Sequence, residues 1–366
     1  MLTSGERARS IFPQDRVFRG RSLVWRPQTE AKQAECQPSR PPVTQVGTKS
    51  KPQEVSGEPR RAGAVRLLRT LCGLAIFGAL AGFGAGPLAL GWLWPASLFS
   101  NLLPPIAGLL VLAAPVLWWT RSRRLALLAV LPLVVTVIWW FRVAPTPAPR
   151  APGGSSAPHL LKLLSFNPGE SVADPEQVID LVEQLDVDVV ALQELSQANA
   201  LEMEARLGDR YPYRFAVATG FLGRGLWSRY PISNGRFAKL AGGRRHLICD
   251  LDVNGTPLKV VVCHLDLSAG IRGLDQSSVQ DVLGLARETL EQQEATLIVG
   301  DFNSNVTSGL CSRLGKLGLV DAYREGGGAP RPSFPIAGRY PPLPFVPPIV
   351  RIDHAWRTEG LSLIHI

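Results

Sequence analysis

The sequence contains few of the residues that build disulfide scaffolds and zinc sites. Its 366 residues include five cysteines and five histidines, and neither type is clustered. Five scattered cysteines exclude a disulfide-rich scaffold, and no group of cysteines and histidines has the spacing of a zinc site. The Gly-x-Ser-x-Gly turn and the Gly-rich P-loop are also missing, which argues against an α/β-type serine hydrolase and a P-loop nucleotide site.

Acidic residues are absent from residues 71–150, which carry five basic ones. Residues 1–70 hold 14 basic and six acidic residues, whereas residues 151–366 hold 20 basic and 24 acidic ones. The net charge of +9 therefore arises in the first 150 residues. Because the C-terminal part is slightly acidic, the charge of the whole chain does not indicate nucleic-acid binding.

Residues 1–62 mix Arg, Pro, Gln, Ser and Gly with few apolar runs. Such a composition buries too little apolar surface to offset the loss of chain entropy, so we predict a disordered, basic, cytoplasmic arm. It is not a signal peptide, because the first apolar stretch begins too late. An alternative makes this arm the functional part, docking on anionic lipid or nucleic acid.

Residues 63–143 contain three runs without a charge. They span residues 71–94, 96–120 and 125–141, with lengths of 24, 25 and 17 residues. A helix that crosses a bilayer needs about 20 apolar residues, so we predict a three-helix membrane anchor, with a hairpin or a re-entrant pair for the first two runs. The alternative is three buried helices of a globular domain.

Arginines flank these runs unevenly. Four precede the first run and three separate the second from the third, whereas none lies between the first two runs. The positive-inside rule then places the N-terminus in the cytoplasm and everything after residue 141 outside. We therefore predict a multi-pass protein of the cell membrane, in contact with the lipid bilayer, with an extracytoplasmic C-terminal domain.

Residues 144–158 form a Pro/Gly/Ser linker, and residues 159–360 read as one soluble domain. Short apolar strands alternate there with segments of helical spacing, which predicts a mixed α+β or α/β fold. Residues 361–366, LSLIHI, match the translation of a common sequencing-adapter end. We interpret them as an artefact, so His365 receives no role and the natural chain is expected to continue differently.

Polar residues of a few types follow five predicted strands of this domain. They are Asn167, Glu194, His264, Asp301 with Asn303, and Asp353 with His354. Side chains at strand ends are expected to converge on one site. Carboxylate and amide oxygens suit Mg²⁺ or Mn²⁺ better than Zn²⁺, and such an ion with two histidines fits phosphoester hydrolysis. No nucleophile is in place, so direct attack of water is expected.

The motifs resemble the endonuclease/exonuclease/phosphatase superfamily, which includes DNase I-like nucleases, inositol polyphosphate 5-phosphatases and neutral sphingomyelinases. The matching pieces are SFN at 165–167, DVDVVALQE at 186–194, GLWSRYPI at 225–232, VVVCHLD at 260–266, IVGDFNS at 298–304, LVDAY at 319–323 and RIDH at 351–354. The resemblance implies an α+β fold, a four-layer α/β/β/α sandwich, over residues 159–360.

The resemblance also implies metal ligands. Glu194 resembles the family's metal-binding glutamate, Asn167 lies beside it, and Asp353 resembles the metal-side neighbour of a terminal histidine. The expected cofactor is Mg²⁺ or Mn²⁺.

Catalytic roles follow in the same way. Asp301 resembles the carboxylate that orients or deprotonates the attacking water, and Asn303 the carboxamide that contacts phosphate or metal. His354 resembles the histidine that faces the scissile phosphate, and His264 is a candidate acid. Asp321 resembles the aspartate that pairs with the terminal histidine in some members; its alternative is a turn or helix N-cap residue.

We therefore predict a membrane-anchored, divalent-metal-dependent phosphoesterase that hydrolyses a phosphodiester or phosphomonoester. A lipid head group, a small phosphoester and DNA remain open as substrates, and no obligate protein partner is evident. The alternatives are an extracytoplasmic nuclease and a catalytically inactive, membrane-tethered binding module.

Three further residue types bear on the core. Trp227 is predicted to be buried, and Cys249 and Cys263 are predicted to be buried thiols, with a disulfide as the alternative. His246 is predicted to lie on an exposed strand face, with contact to an anionic substrate as the alternative.

Overall fold

The computed structural model of the chain describes residues 58–85, 94–143, 161–325, 332–335, 348–359 and 361, with gaps at residues 171, 240–242 and 244. Most of the predicted arm, the linker at 144–158 and residues 362–366 lie outside these residues.

Four helices precede the domain. They are α1 (Glu58–Ala85), α2 (Trp94–Asn101), α3 (Leu103–Trp119) and α4 (Arg123–Val143). Helices α1, α3 and α4 share a small apolar cluster that includes Ile76, Leu110 and Ala129. The predicted run at 96–120 is two helices rather than one. Pro104 and Pro105 lie in the first turn of α3, where a missing N–H is tolerated, so this pair favours the start of a new helix here.

One described helix, over Ala62–Gly84, is long and apolar enough to cross a membrane. The apolar stretch Leu103–Trp119 is shorter, with 17 residues. The prediction of three membrane-spanning helices is therefore not met in the described part of the chain. The break before α3 explains the difference for the second run, because it divides 25 uncharged residues between two helices.

The domain alternates strands and helices. Its strands are β1 (Leu163–Phe166), β2 (Val189–Gln193), β3 (Tyr213–Val217), β4 (Arg224–Ser228), β5 (Ile232–Lys239), β6 (Arg245–Val253), β7 (Thr256–His264), β8 (Thr296–Asp301), β9 (Val320–Asp321) and β10 (Asp353–Arg357). Its helices are α5 (Pro175–Leu185), α6 (Gln197–Leu207), α7 (Ser268–Arg272), α8 (Ser277–Glu291), α9 (Gly309–Leu317) and α10 (Ala322–Glu325), with 3₁₀ turns at Gly220–Leu222 and Gly273–Asp275.

The strands form two mixed sheets. The first has the order β1-β2-β4-β3, and β1 runs parallel to β2. The second has the order β5-β6-β7-β8-β10-β9, and β7 runs parallel to β8. The neighbouring pairs other than these two are antiparallel.

Three apolar clusters separate four layers. Val189 and Leu226 of the first sheet meet Val260 and Val299 of the second in one cluster between the sheets. A second cluster joins the outer face of the first sheet to α5 and α6, and a third joins the outer face of the second sheet to α8 and α9. The predicted α+β sandwich is confirmed as two mixed sheets with helices outside.

Helix starts follow local capping. The Asp174 side chain accepts a hydrogen bond from the Glu176 N–H at 3.2 Å, and Pro175 opens α5. Ser196 caps α6 by accepting from the Asn199 N–H at 3.1 Å. These caps fix where α5 and α6 leave the ends of the first sheet.

The exposure of individual side chains tests the predictions made for the core of the domain. Trp227 is buried as predicted, and Cys249 and Cys263 are buried free thiols. The prediction for His246 is wrong, because its side chain is fully buried. Strand β6 lies inside the second sheet, and Ile248, on the same face, packs in the cluster with the outer helices.

Candidate active site

The sheet topology brings four of the predicted side chains to one edge. Asn167 follows β1 and Glu194 follows β2, and these strands are parallel neighbours. His264 ends β7 and Asp301 ends β8, and the two residues are directly paired. Because parallel strands end at the same edge of a sheet, both pairs lie at the carboxyl ends of their sheets.

Asp353 reaches the site from the opposite direction. It opens β10 rather than ending a strand, so the prediction that residues 351–354 close a strand is wrong. Strand β10 is antiparallel to β8, and Asp353 is paired with Asp301. The start of one strand therefore lies beside the end of the other.

The Asn167 side chain connects two carboxylates. Its Nδ2 donates to Asp301 Oδ2 at 2.9 Å and to Glu194 Oε1 at 3.3 Å, and its Oδ1 accepts from the Gly169 N–H at 2.9 Å. The second Glu194 oxygen accepts from the Glu170 N–H at 3.1 Å. Two carboxylates from different sheets thus lie within hydrogen-bonding distance of one nitrogen atom.

His264 adds an imidazole to these acids. Its Nε2 lies 3.4 Å from Glu194 Oε1 and 4.0 Å from Asp301 Oδ2, and the side chain is buried. The Phe221 ring meets the imidazole edge-on, with centroids 5.4 Å apart. Arg224 donates to the His264 carbonyl oxygen at 3.0 Å.

Sequence reasoning missed Arg224, which is completely buried at the start of β4. It also donates to the Leu222 carbonyl oxygen at 2.9 Å, so it ties the 3₁₀ turn Gly220–Leu222 to the end of β7. The signal was an arginine placed directly before the segment GLWS, whose Trp227 was predicted to be buried. A charge in that position needs hydrogen-bond partners.

The turns after β2 and β8 each contain a site residue with an unusual backbone. Glu194 and Asn303 have φ of 44° and 47°, the left-handed region that non-glycine residues seldom adopt. The Asn303 N–H donates to Asp301 Oδ1 at 2.8 Å, and its Nδ2 donates to the Leu265 carbonyl oxygen at 2.8 Å. Gly300 has φ of 134°, and a Cβ there would lie 1.9 Å from the Cys263 carbonyl oxygen. Glycine is therefore required where β8 approaches β7.

Burial and charge perturb the acids. Burial, with the charges of Asp353 and Glu194 nearby, raises the pKa of Asp301 to about 7. Burial also raises the pKa of Asp353, against the lowering effects of a Ser333 hydrogen bond and the Arg351 charge. Within the described residues, neither Glu194 nor Asp301 forms an ion pair with a lysine or arginine. In the described part of the chain, the basic neighbour of Glu194 and Asp301 is therefore the His264 imidazole rather than a lysine or arginine.

His354 lies on the other face of β10. It is 3% exposed, its Nε2 lies 2.8 Å from the Ser304 carbonyl oxygen, and its ring packs against Phe302 and Trp356. Burial and the Arg351 charge lower the pKa of His354 to about 4. The structure thus does not bring His354 into contact with the acid cluster.

The Asp321 carboxylate is paired with an arginine. Both of its carboxylate oxygens accept from the Arg351 guanidinium, and Oδ1 also accepts from the Tyr323 N–H at 3.1 Å. The last bond is that of a turn residue at the start of α10. In the described part of the chain, the carboxylate is paired with Arg351 rather than hydrogen-bonded to His354.

A sequence profile described as Endonuclease/Exonuclease/phosphatase family matches residues 161–366. The chain belongs to this family. A search of curated protein sequences gives no match.

Several solved structures are similar to part of the chain. Truncated TDP2 from Caenorhabditis elegans is 13% identical, with a TM-score of 0.44 over 56% of this chain and 86% of that one. An endonuclease/exonuclease/phosphatase family protein from Leptotrichia buccalis C-1013-b is 16% identical, with a TM-score of 0.41 over 56% and 89%. Sphingomyelinase C from Streptomyces griseocarneus is 21% identical, with a TM-score of 0.40 over 55% and 88%.

The site of this family member has the donors of a hard cation. Among the described residues, no three His, Cys, Asp or Glu side chains are already arranged around one ion position. The chemistry of the site nevertheless fits Mg²⁺ or Mn²⁺, because carboxylate oxygens of Glu194 and Asp301 both lie within hydrogen-bond distance of the Asn167 side-chain nitrogen, and such oxygens are the ligands of hard cations. A divalent cation would neutralise the charge that raises the pKa of Asp301.

Two features border this cluster. A cavity of about 470 Å³ lies on the side of Glu170 and the first turns of α5 and α6. On the side of His264, the 3₁₀ turn exposes Phe221 and Leu222. The site is therefore open to ligands along an edge that is partly apolar.

Proposed function

We propose that the chain is a divalent-metal-dependent phosphoesterase in which water attacks the phosphorus directly. The observation that supports this most is the convergence of four side chains from four strand ends of two sheets, each within 3.4 Å of another member: Asn167, Glu194, His264 and Asp301. A purely structural role does not require a half-buried and a buried carboxylate to lie beside one asparagine nitrogen and one imidazole.

The metal would be held by Glu194, Asn167 and Asp353, with Mg²⁺ or Mn²⁺ as the ion. When bound, such an ion neutralises charge on the phosphate oxygens. The raised pKa of Asp301 supports this assignment, because burial and, after it, the charges of neighbouring acids make the metal-free site unfavourable for the carboxylate.

Proton transfers are assigned to Asp301 and His264. Asp301 would orient water and take its proton, and the Asn303 N–H and Asn167 Nδ2 hold its two oxygens in place. His264 would protonate the leaving oxygen, and Arg224 fixes its main chain. Asn303 would contact the phosphate. The catalytic roles of His354 and Asp321 stay predictions, and their present contacts suit a supporting role.

We also propose that the N-terminal helices anchor the domain in a membrane, with the N-terminus cytoplasmic and the domain outside. Large apolar side chains on these helices point outward, and Phe77, Leu112 and Trp119 are 70%, 74% and 85% exposed. Contiguous apolar surface of this kind needs a membrane or a partner to cover it. The length of Ala62–Gly84 fits a membrane span.

The substrate class is supported less directly. The exposed Phe221 and Leu222 beside His264 favour a substrate with an apolar part over DNA, and residues 151–366 are net acidic. A lipid phosphoester is therefore the first substrate to test. An extracytoplasmic nuclease and an inactive binding module are the competing functions.

The test uses the full chain in detergent micelles. Release of product from bis-p-nitrophenyl phosphate, plasmid DNA and a choline phospholipid is measured with Mg²⁺ and with EDTA. Turnover that needs Mg²⁺, is lost in Glu194→Gln and is kept in Asp209→Asn, an exposed carboxylate, supports the proposal. No turnover by a folded protein that still binds Mg²⁺ in calorimetry would indicate the binding module instead.

The two histidines are compared in the same assay. His264→Ala should remove turnover with little change in melting temperature. If His354→Ala removes turnover equally, with the fold intact, the predicted role of His354 at the phosphate is supported.

A further inference from the structure

Helix α2 carries a polar face within an otherwise apolar segment. Ser97, Ser100 and Asn101 are spaced at i, i+3 and i+4, and all three side chains are buried. This spacing places them on one side of the helix. Buried hydroxyl and amide groups are unfavourable unless they form hydrogen bonds, so the partners of this face show what it packs against.

The partners lie in the domain, about 200 residues further along the chain. Asn101 Nδ2 donates to the Gly270 carbonyl oxygen at 2.7 Å, and Asn101 Oδ1 accepts from the Asn305 N–H. Asn305 Nδ2 donates in return to the Asn101 carbonyl oxygen at 3.0 Å. Ser100 and Thr307 each donate a hydroxyl hydrogen to the other's carbonyl oxygen.

These bonds hold the loop that carries Asn303. The loop, residues 302–308, connects β8 to α9, and its Asn303 N–H fixes Asp301 Oδ1. On its other side the loop touches α7 so closely that a Cβ on Gly270 would lie 2.4 Å from the Asn303 carbonyl oxygen. The Asn101 carboxamide therefore forms hydrogen bonds to both sides of this contact, to α7 at Gly270 and to the loop at Asn305.

The loop needs such support because Asn303 has a left-handed backbone, with φ of 47°. A backbone conformation of this kind persists only when its surroundings determine it. We propose that Asn101 is a positioning residue for the active site, acting through the loop on Asn303 and Asp301. This role rests on the proposed phosphoesterase function, and it makes catalysis dependent on the helix that precedes the domain.

The test compares variants of the full chain in detergent. Asn101→Ala should lower kcat about 10- to 100-fold with little change in KM, because removing a residue that orients a catalytic group has an effect of this size. Thr136→Ala, which removes a hydroxyl that donates to the Pro132 carbonyl oxygen within α4, should leave kcat close to that of the wild type. In an Asp301→Asn background, Asn101→Ala should cause no further loss of the residual kcat, since its effect passes through Asp301.

Hydrogen exchange makes the result independent of activity. Amide exchange in residues 303–307 should rise at least about tenfold in Asn101→Ala and not in Thr136→Ala. Unchanged exchange, or an equal loss of kcat in both backgrounds, overturns the positioning role. If the wild type hydrolyses no phosphoester while exchange still rises in Asn101→Ala, the proposed function fails and the contact between α2 and the loop is retained.

Discussion

The stability of the metal-free protein should fall as the pH rises, because Asp301 is buried beside other acids. Its pKa is about 7, against an ordinary value of 3.8. Between these values the native state holds a proton that the unfolded chain has lost, so the native state is favoured most below pH 4 and the advantage is lost by pH 7. At about 1.4 kcal/mol per unit of pKa, the loss is at most about 4 kcal/mol.

Asp301→Asn should remove this dependence. The amide keeps one oxygen for the Asn303 N–H, but its NH₂ faces Asn167 Nδ2, which loses an acceptor. Losing a hydrogen bond to a charged group costs about 1.5–3 kcal/mol. The variant loses this hydrogen bond but avoids the charge penalty of at most about 4 kcal/mol, so it should be more stable than the wild type by about 1–2 kcal/mol at pH 8. At pH 5, where the wild-type carboxyl is neutral, the variant should be less stable.

The assay is thermal unfolding of the full chain in detergent with EDTA, followed by tryptophan fluorescence between pH 5 and pH 8. For a domain of this size, 1 kcal/mol shifts the melting temperature by about 2–4 °C. Added Mg²⁺ at pH 8 should stabilise the wild type more than Asp301→Asn, because the variant has no Asp301 charge for the ion to offset, and Asp209→Asn serves as the control carboxylate. If Asp301→Asn is the less stable protein at both pH values, the charge cluster is not strained and the electrostatic argument for a cation site is refuted.

Three other substitutions test the site and its frame. Glu194→Gln should abolish the stabilisation by Mg²⁺ in the same melting assay, and an unchanged Mg²⁺ shift would remove Glu194 from the ligands. Arg351→Met should lower the free energy of unfolding by about 3–5 kcal/mol in urea at pH 7, because it leaves the buried Asp321 carboxylate without its partner; a change below about 1 kcal/mol would contradict the pairing. Gly300→Ala should prevent normal folding, seen as loss of soluble protein or of its cooperative melting, because its Cβ would meet the Cys263 carbonyl oxygen; a normally stable variant would contradict the strand contact.

The sequence predicted the strand ends because its signals there are local. Asn167, Glu194, His264 and Asp301 each follow an apolar run of strand length, and parallel strands end together. Their meeting point followed from these two rules and from the family resemblance. The distances within the cluster, and the role of Asn167 as a bridge between two sheets, required the packing of one sheet on the other.

The surroundings of His354 could not be predicted from the RIDH motif alone. Asp353 and His354 are consecutive in β10, so their side chains point to opposite faces. Asp353 therefore faces Asp301, whereas His354 faces Phe302 and Trp356. The partner of Asp321 was equally hidden, because Arg351 lies 30 residues away along the chain.

Average hydropathy concealed the role of the segment before the domain. Residues 96–120 carry no charge, and the average over such a window treats Ser97, Ser100 and Asn101 as interruptions of an apolar run. Their spacing on one helix face is the signal that such an average removes. Proline positions in the same run marked the end of α2, yet they did not show which neighbour α2 would meet.

The contacts of α2 link the apolar helices to the loop that carries Asn303, and the packing along this route depends on close approaches between main chains. A Cβ on Gly82 of α1 would lie 2.5 Å from the Phe99 main chain, so α1 and α2 pack backbone against backbone. Gly270 permits the same closeness between α7 and the Asn303 loop. Because close-packed contacts transmit small displacements instead of absorbing them, this packing provides a route from α1 through α2 to the loop.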